Sequence, residues 1–169
     1  MSAQPIPLRT RSSSTADPDP ARKIWHSDES PVTLGVSSYL LGESVRYDGG
    51  HARDHFVEET LGNWVEWVPI CPEVESGMGT PRPAIPLVDG ESRQTLVAKS
   101  TGEDFTGQME NYAREKTKEL GSLDGYVFKK GSPSCGLERI RVYRENGHVQ
   151  ARNARGLFAN GTERERSHA

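Results

Sequence analysis

Val-Thr-Leu-Gly-Val-Ser-Ser-Tyr, residues 32–39, contains the first strand signal along the chain. A short apolar run ends there at two serines, which predicts a buried strand over residues 32–36. Later stretches are also apolar and bounded by turn residues, so further strands are predicted at residues 64–70, 94–98, 125–129 and 140–143. The segment 77–86, rich in Gly and Pro, is predicted to be an extended loop.

Two segments between these strands have helical character. Residues 104–120 place Phe105, Met109, Tyr112, Lys116 and Leu120 near one face, and Gly121 ends the pattern. Residues 51–61 suit a second helix, closed by Gly62. Strands separated by helices favour a parallel sheet with right-handed crossovers. The predicted fold is therefore α/β, a Rossmann-like small parallel sheet flanked by helices.

The chain of 169 residues is long enough for one domain with its own core. Residues 1–30 are rich in Ser, Pro, Asp and Arg without periodicity, which predicts a disordered N-terminal extension. The domain is expected to span residues 31–159. Residues 160–169 are expected to form a short polar tail.

Composition argues against several kinds of partner. The formal net charge is −3, which provides no strong field for nucleic acid or an anionic membrane. No apolar run is long enough to cross a bilayer, and the N-terminus has no apolar signal core. A cytoplasmic location is expected, where the two cysteines would be reduced and unpaired.

Both cysteines fall in loops that follow predicted strands. In parallel sheets, ligands gather at the carboxyl ends of the strands. Three loops are expected there: Ser37-Ser38-Tyr39, Cys71-Pro72-Glu73 and Ser132-Pro133-Ser134-Cys135. From spacing alone, two small buried residues remain the commoner interpretation of Cys71 and Cys135, because no local Cys-x-x-Cys pair exists.

Several polar residues in and near these loops could carry chemistry. Glu73 could act as a general acid or base if buried, and Glu75 is equally plausible by sequence. Ser132 and Ser134 add hydroxyls and backbone N–H groups, although they also suit an ordinary capped turn. Arg82 lies in a rigid Pro-flanked loop, where it could bind an anion or lock the loop to a carboxylate.

A reaction that uses Cys135 as a nucleophile is a further alternative. It requires a base such as His51 or His55 beside the thiol, and no Cys–His pairing is visible in the sequence.

Three ordered blocks resemble the thiouracil desulfidase (TudS) family. They are Leu34-Gly-Val-Ser-Ser-Tyr-Leu-Leu-Gly42 with Val45-Arg-Tyr-Asp-Gly-Gly-His51, Cys71-Pro-Glu-Val-Glu75 with Gly77-Met-Gly-Thr-Pro-Arg82, and Lys130-Gly-Ser-Pro-Ser-Cys-Gly136. The resemblance implies a compact α/β domain with a 4Fe–4S cluster. It also implies three cysteine ligands and an open iron that accepts sulfur from a thiolated pyrimidine such as 2-thiouracil.

Carried over by position, the resemblance implies cluster ligation by Cys71 and Cys135, with Tyr39 where the family has its first cysteine. It implies proton handling by Glu73 and by Ser132 or Ser134. The implied partner is a small thiolated base. The alternative is a non-catalytic member whose empty or partial cluster site binds a small ligand or partner. The C-terminus is expected to be shortened relative to the family, and the oligomeric state is left open.

Overall fold

The computed structural model describes residues 31–50 and 53–166, and the extension predicted for residues 1–30 lies outside them. The strands are β1 (Thr33–Ser37), β2 (Glu66–Ile70), β3 (Leu87–Asp89), β4 (Gln94–Leu96), β5 (Gly125–Val127), β6 (Ile140–Tyr143) and β7 (Val149–Ala154). The α-helices are α1 (Thr106–Leu120) and α2 (Leu157–Arg166). Neither is long and apolar enough to cross a bilayer, nor is any other helix in the described part of the chain.

The first sheet has the order β2-β1-β5, and both pairings are parallel. Its central strand β1 is buried from Gly35 to Ser37. A Cβ on Gly35 would lie 2.3 Å from the Tyr126 ring, so glycine is needed where β1 meets β5. The α/β fold with a small parallel sheet, predicted from the sequence, is confirmed.

A second sheet was not expected. Its order is β4-β3-β6-β7, with β3 and β6 parallel and the other two pairs antiparallel. The strands predicted at residues 94–98 and 140–143 belong here and not to the parallel sheet. Two strands of this sheet were not predicted: β3, which has three residues after a Pro-rich loop, and β7, whose sequence is Val-Gln-Ala-Arg-Asn-Ala. Neither contains the apolar run that identifies a strand.

The core lies between the helices and the sheets. Helix α1 buries Met109, Ala113 and Leu120, close to the predicted face. It begins two residues later than predicted, because Asp104 stays outside and accepts a hydrogen bond from the Thr106 N–H at 2.8 Å. The helix predicted over residues 51–61 is described only from residue 53. There the chain forms a π-helical turn at Phe56–Thr60 and a 3-10 turn at Leu61–Asn63.

Helix α2 runs through the domain boundary predicted between residues 159 and 160. Residues 160–166 are helical, so the polar tail predicted from residue 160 needs correction over that range. Phe158 and Ala159 are fully buried, and Thr162 is almost so. Gly161 lies so close to α1 that a Cβ there would be 2.9 Å from Ala113 Cβ. The Asn160-Gly161 pair therefore permits close helix packing instead of ending the fold.

The start of α2 holds the turn that contains Cys135. The N–H of Leu157 donates to Pro133 O at 3.1 Å, and the N–H of Phe158 donates to Ser134 O at 3.0 Å. These are the N–H groups that a helix leaves unsatisfied at its first turn. Gly156 allows the approach, because a Cβ there would lie 2.3 Å from Ser134 O.

Replacing Gly156 with Ala should therefore destabilise the fold. The added methyl group overlaps backbone, so we expect a loss of about 1–3 kcal/mol in the free energy of unfolding. Urea denaturation followed by circular dichroism measures this loss. Gly107→Ala is the matched control, since a Cβ there meets nothing within 4 Å and its stability should not fall. Equal stability of both variants would contradict the contact.

Candidate functional site

The three predicted loops line one cavity of about 1160 Å³. Because β1 and β2 are parallel neighbours, Ser37 and Ile70 are in register and the loops that follow them leave the same edge. The turn after β5 reaches this edge as well. Tyr39, Cys71, Glu73, Ser132 and Cys135 all contribute to the cavity wall, although 64 residues separate the two cysteines.

Glu73 joins two of these loops through hydrogen bonds. Its Oε1 atom accepts a hydrogen bond from Ser134 Oγ at 2.9 Å and a longer one from Ser132 Oγ at 3.4 Å. Its Oε2 atom pairs with the Arg82 guanidinium. The carboxylate is therefore oriented, with one oxygen held by a cation and the other facing two hydroxyls.

Arg82 is the residue that fixes this carboxylate. Its side chain is only 4% exposed, and Nη1 also donates to the carbonyl oxygens of Val45 at 3.1 Å and Gly79 at 2.9 Å. Of the two roles that the sequence left open, the geometry matches the lock to a carboxylate. Arg82 Nε is buried without a hydrogen-bond partner among the described residues.

The two serines, which the sequence could not distinguish, occupy different places. Ser134 is fully buried, whereas Ser132 is partly exposed and lines the cavity. Ser132 Oγ accepts the N–H groups of Ser134 at 3.2 Å and Cys135 at 3.0 Å. Ser132 therefore lines the cavity, whereas the buried Ser134 hydroxyl donates a hydrogen bond to Glu73.

Both thiols are disfavoured as thiolates in the ligand-free protein. Burial raises the pKa of Cys71 to about 11, and the charge of Glu73 adds to this while a hydrogen bond from the Val74 backbone opposes it. Burial, again with Glu73, raises the pKa of the fully buried Cys135 still further. A metal that bound these sulfurs would have to displace their protons.

Glu75 has a positioning role that the sequence did not separate from that of Glu73. Its Oε1 accepts the Cys71 N–H at 2.8 Å, and its Oε2 accepts the Tyr112 hydroxyl at 2.7 Å. Lys116 Nζ lies 3.3 Å from the same Oε2. Helix α1 thus fixes the backbone of Cys71 through Glu75. The four-residue spacing from Cys71 to Glu75 was the only sequence signal for it.

Tyr39 lies at the cavity wall, in the 3-10 turn Ser38–Leu41, and contacts a lysine that the sequence analysis did not select. Lys129 Nζ lies 5.1 Å from the centroid of the Tyr39 ring, a cation–π geometry. Burial lowers the pKa of Lys129, and the neighbouring charge of Arg46 lowers it further. The Oγ atom of the preceding residue, Ser38, is buried and has no hydrogen-bond partner among the described residues.

The histidines proposed as bases for a cysteine hydrolase do not meet Cys135 in the described part of the chain. His55 is 70% exposed, lies 3.1 Å from Glu59 Oε1 and does not line the cavity. His51 falls outside the described residues. Arg46 does line the cavity, where it is stacked on Tyr47 and paired with Asp48 at 3.3 Å.

A sequence model of the 2-thiouracil desulfurase family matches residues 34–168, which is most of the chain. The chain belongs to this family. A solved structure of the 4Fe–4S-dependent thiouracil desulfidase TudS is 31% identical, with a TM-score of 0.63. The similarity covers 79% of this chain and 86% of that one. Among curated proteins, none matches the chain significantly.

Breaking the Glu73–Arg82 pair should cost stability. Arg82→Met leaves a largely buried carboxylate without its cation, and we expect a loss of about 3 kcal/mol in the free energy of unfolding. Arg93→Met is the matched control. It breaks an ion pair with Glu110 whose side chains are 57% and 37% exposed, so its cost should stay below about 1 kcal/mol.

A double-mutant cycle measures the interaction directly. It compares the free energy of denaturant unfolding of the wild type, Arg82→Met, Glu73→Gln and the double variant Arg82→Met/Glu73→Gln. The double variant should be less destabilised than the sum of its single variants, because the unpaired charge has also been removed. Additive losses would show that the two side chains do not interact.

Proposed function

We propose that the chain binds thiolated pyrimidines of the 2-thiouracil type in the cavity, and that Glu73 exchanges a proton with the bound base through Ser132. The observation that carries this proposal is the oriented Glu73 carboxylate, which reaches a cavity-facing hydroxyl beside both thiols in a member of this family. The buried Ser38 Oγ, which lacks a partner among the described residues, also favours a polar occupant.

The proton path follows from the hydrogen-bonding capacity of Ser132. A hydroxyl has one donor and two acceptor sites, and two backbone N–H groups already point at Ser132 Oγ. Its proton is therefore available to Glu73 or to a ligand in the cavity. Arg82 holds one oxygen of Glu73 and leaves the other directed at the serines, so a proton from the ligand can move to Glu73 by way of the Ser132 hydroxyl.

The ligand set for a cluster is incomplete. The solved relative depends on a 4Fe–4S cluster, for which the family resemblance implies three thiolates. Within residues 31–50 and 53–166, no group of three or more His, Cys, Asp or Glu side chains could hold a metal ion. The third position carries Tyr39 with Lys129 above its ring. A cluster held by three thiolates does not fit these residues, and no step is assigned to one.

Removal of the sulfur itself is a second candidate function. It is favoured by Cys71 and Cys135, which line the same cavity as Glu73 and match the order of the family's ligands. Replacement of a thiocarbonyl sulfur by water oxygen moves both protons of the water to the departing sulfur, which leaves as hydrogen sulfide. In this proposal the Glu73–Ser132 pair relays these protons one after the other.

Calorimetric titration with 2-thiouracil tests the first proposal. Wild-type protein should bind it, and the ultraviolet spectrum of the bound base should shift toward that of its anion, because its proton moves to Glu73 within the complex. Glu73→Gln and Ser132→Ala should each weaken binding roughly tenfold or more, because each removes a hydrogen bond of the proton path. The spectral shift should disappear in both.

Ser100→Ala, an exposed serine outside the cavity, is the control for this titration and should bind like the wild type. Circular dichroism of each variant separates loss of binding from loss of folding. A wild-type protein that binds no 2-thiouracil, or a folded Glu73→Gln variant with unchanged binding, would refute the proposal.

Sulfide release from 2-thiouracil by the wild type tests the second candidate, and Tyr39→Cys tests whether the rest of a cluster site is present. The change supplies a third thiol, so after anaerobic reconstitution the variant should hold about four irons per chain, absorb near 400 nm and release sulfide from 2-thiouracil. Tyr39→Ser, equally small but without a thiol, should hold no more iron than the wild type. If Tyr39→Cys gains no iron over Tyr39→Ser, the cluster site has been lost beyond this one ligand.

A further inference from the structure

The outward face of the second sheet is open and differs sharply from its inner face. Leu87 and Val142 point into the core, and their neighbours Val88 and Tyr143 therefore point to the other side. Val88 and Tyr143 are paired across β3 and β6, and Thr95 lies next to Val88 on β4. These three side chains form a small platform that lines the cavity and is only partly buried.

Basic side chains border this platform. We call them the cationic rim: Lys99, Lys130, Arg141, Arg144 and Arg152, all exposed and all lining the cavity. None of the five forms an ion pair with a carboxylate of the described residues. Among the described residues, three acidic ones line the cavity. Glu73 is paired with Arg82, so Asp89 and Glu145 are the ones that could offset the charge of the rim.

The net charge of −3 therefore conceals a segregated distribution. The sequence-based expectation of no nucleic-acid partner used the sum of the charges. Attraction at a surface depends on the local field, which a cleft lined by one sign of charge concentrates. The cavity is also larger than the roughly 300–1,000 Å³ usual for a small-molecule pocket.

We propose that this face binds a single-stranded polynucleotide, with phosphates on the cationic rim and a base stacked on Tyr143. An aromatic side chain on an open sheet, bordered by Lys and Arg, is the arrangement by which proteins hold single strands. The platform and Glu73 line one cavity, so a bound strand would share that cavity with the thiols. The proposal does not depend on recognition of free 2-thiouracil.

Fluorescence anisotropy with the full chain and a labelled 12-residue oligouridylate tests it, with a 12-residue oligothymidylate to distinguish RNA from DNA. Both oligonucleotides carry phosphates and bases that can stack on an aromatic ring. Binding should weaken about 50-fold between roughly 50 and 200 mM salt if about four phosphates are neutralised. Arg141→Gln/Arg152→Gln should reduce affinity and lower the slope of log K against log salt by about 1.4.

Tyr143→Leu should weaken binding about tenfold or more through lost stacking, with little change in salt dependence. The control Arg114→Gln/Lys118→Gln removes two exposed charges from α1, outside the cavity, and should bind like the wild type. Thermal melts show whether each variant is folded. The proposal is overturned if neither oligonucleotide binds at low salt, if the Arg141/Arg152 variant binds like the wild type, or if uridine monophosphate binds as tightly as the oligomers.

Discussion

The ion pair between Glu73 and Arg82 is the interaction on which the cavity depends. One guanidinium pairs with the carboxylate after β2 and binds the carbonyl oxygens of Val45 and Gly79, so it joins three loops. The other oxygen of the Glu73 carboxylate accepts hydrogen bonds from Ser134 and Ser132, which belong to a fourth loop. Charge-assisted hydrogen bonds of this kind are short and directional, which lets loops without regular structure hold a defined shape.

The thiols are held by a second set of contacts. Glu75 ties the Cys71 backbone to α1, and the first turn of α2 ties the Ser134–Cys135 peptide to the C-terminal helix. Each sulfur therefore has a position fixed by a different helix. Burial keeps both as thiols, so any metal that they bind must compete with protons, and its affinity must rise with pH.

The second sheet has two different faces, because successive side chains along each strand point to opposite sides. Leu87, Leu96, Ile140 and Val142 form part of the core. The residues that alternate with them along the strands point to the opposite face of the sheet. They form the platform and part of the cationic rim. In strands of three to six residues, alternation leaves only one to three outward side chains each, so the character of the face appears only when four strands are placed side by side. The proposed polynucleotide site and the proposed pyrimidine site thus belong to one continuous cavity.

The sequence patterns alone were enough to predict the parallel sheet and the three loops that line the cavity. Apolar runs ending at Ser37, Cys71 and the Ser132–Cys135 loop predicted which loops would share an edge, since parallel strands place their carboxyl ends together. These patterns did not identify β3 or β7, whose short or polar sequences become strands only through their neighbours in the sheet. The predicted end of the domain also fell within a helix, α2, whose Gly161 is explained by its close approach to Ala113.

Only the tertiary structure distinguished Ser132 from Ser134, paired Arg82 with Glu73, assigned Glu75 to Cys71 and brought Lys129 over Tyr39. Ser134 and Glu73 are 61 residues apart. Long-range contacts of this kind leave no periodicity in a single sequence, because they depend on where whole strands and helices pack. Local pattern therefore predicted which loops share the cavity, and packing decided which side chains enter it and touch.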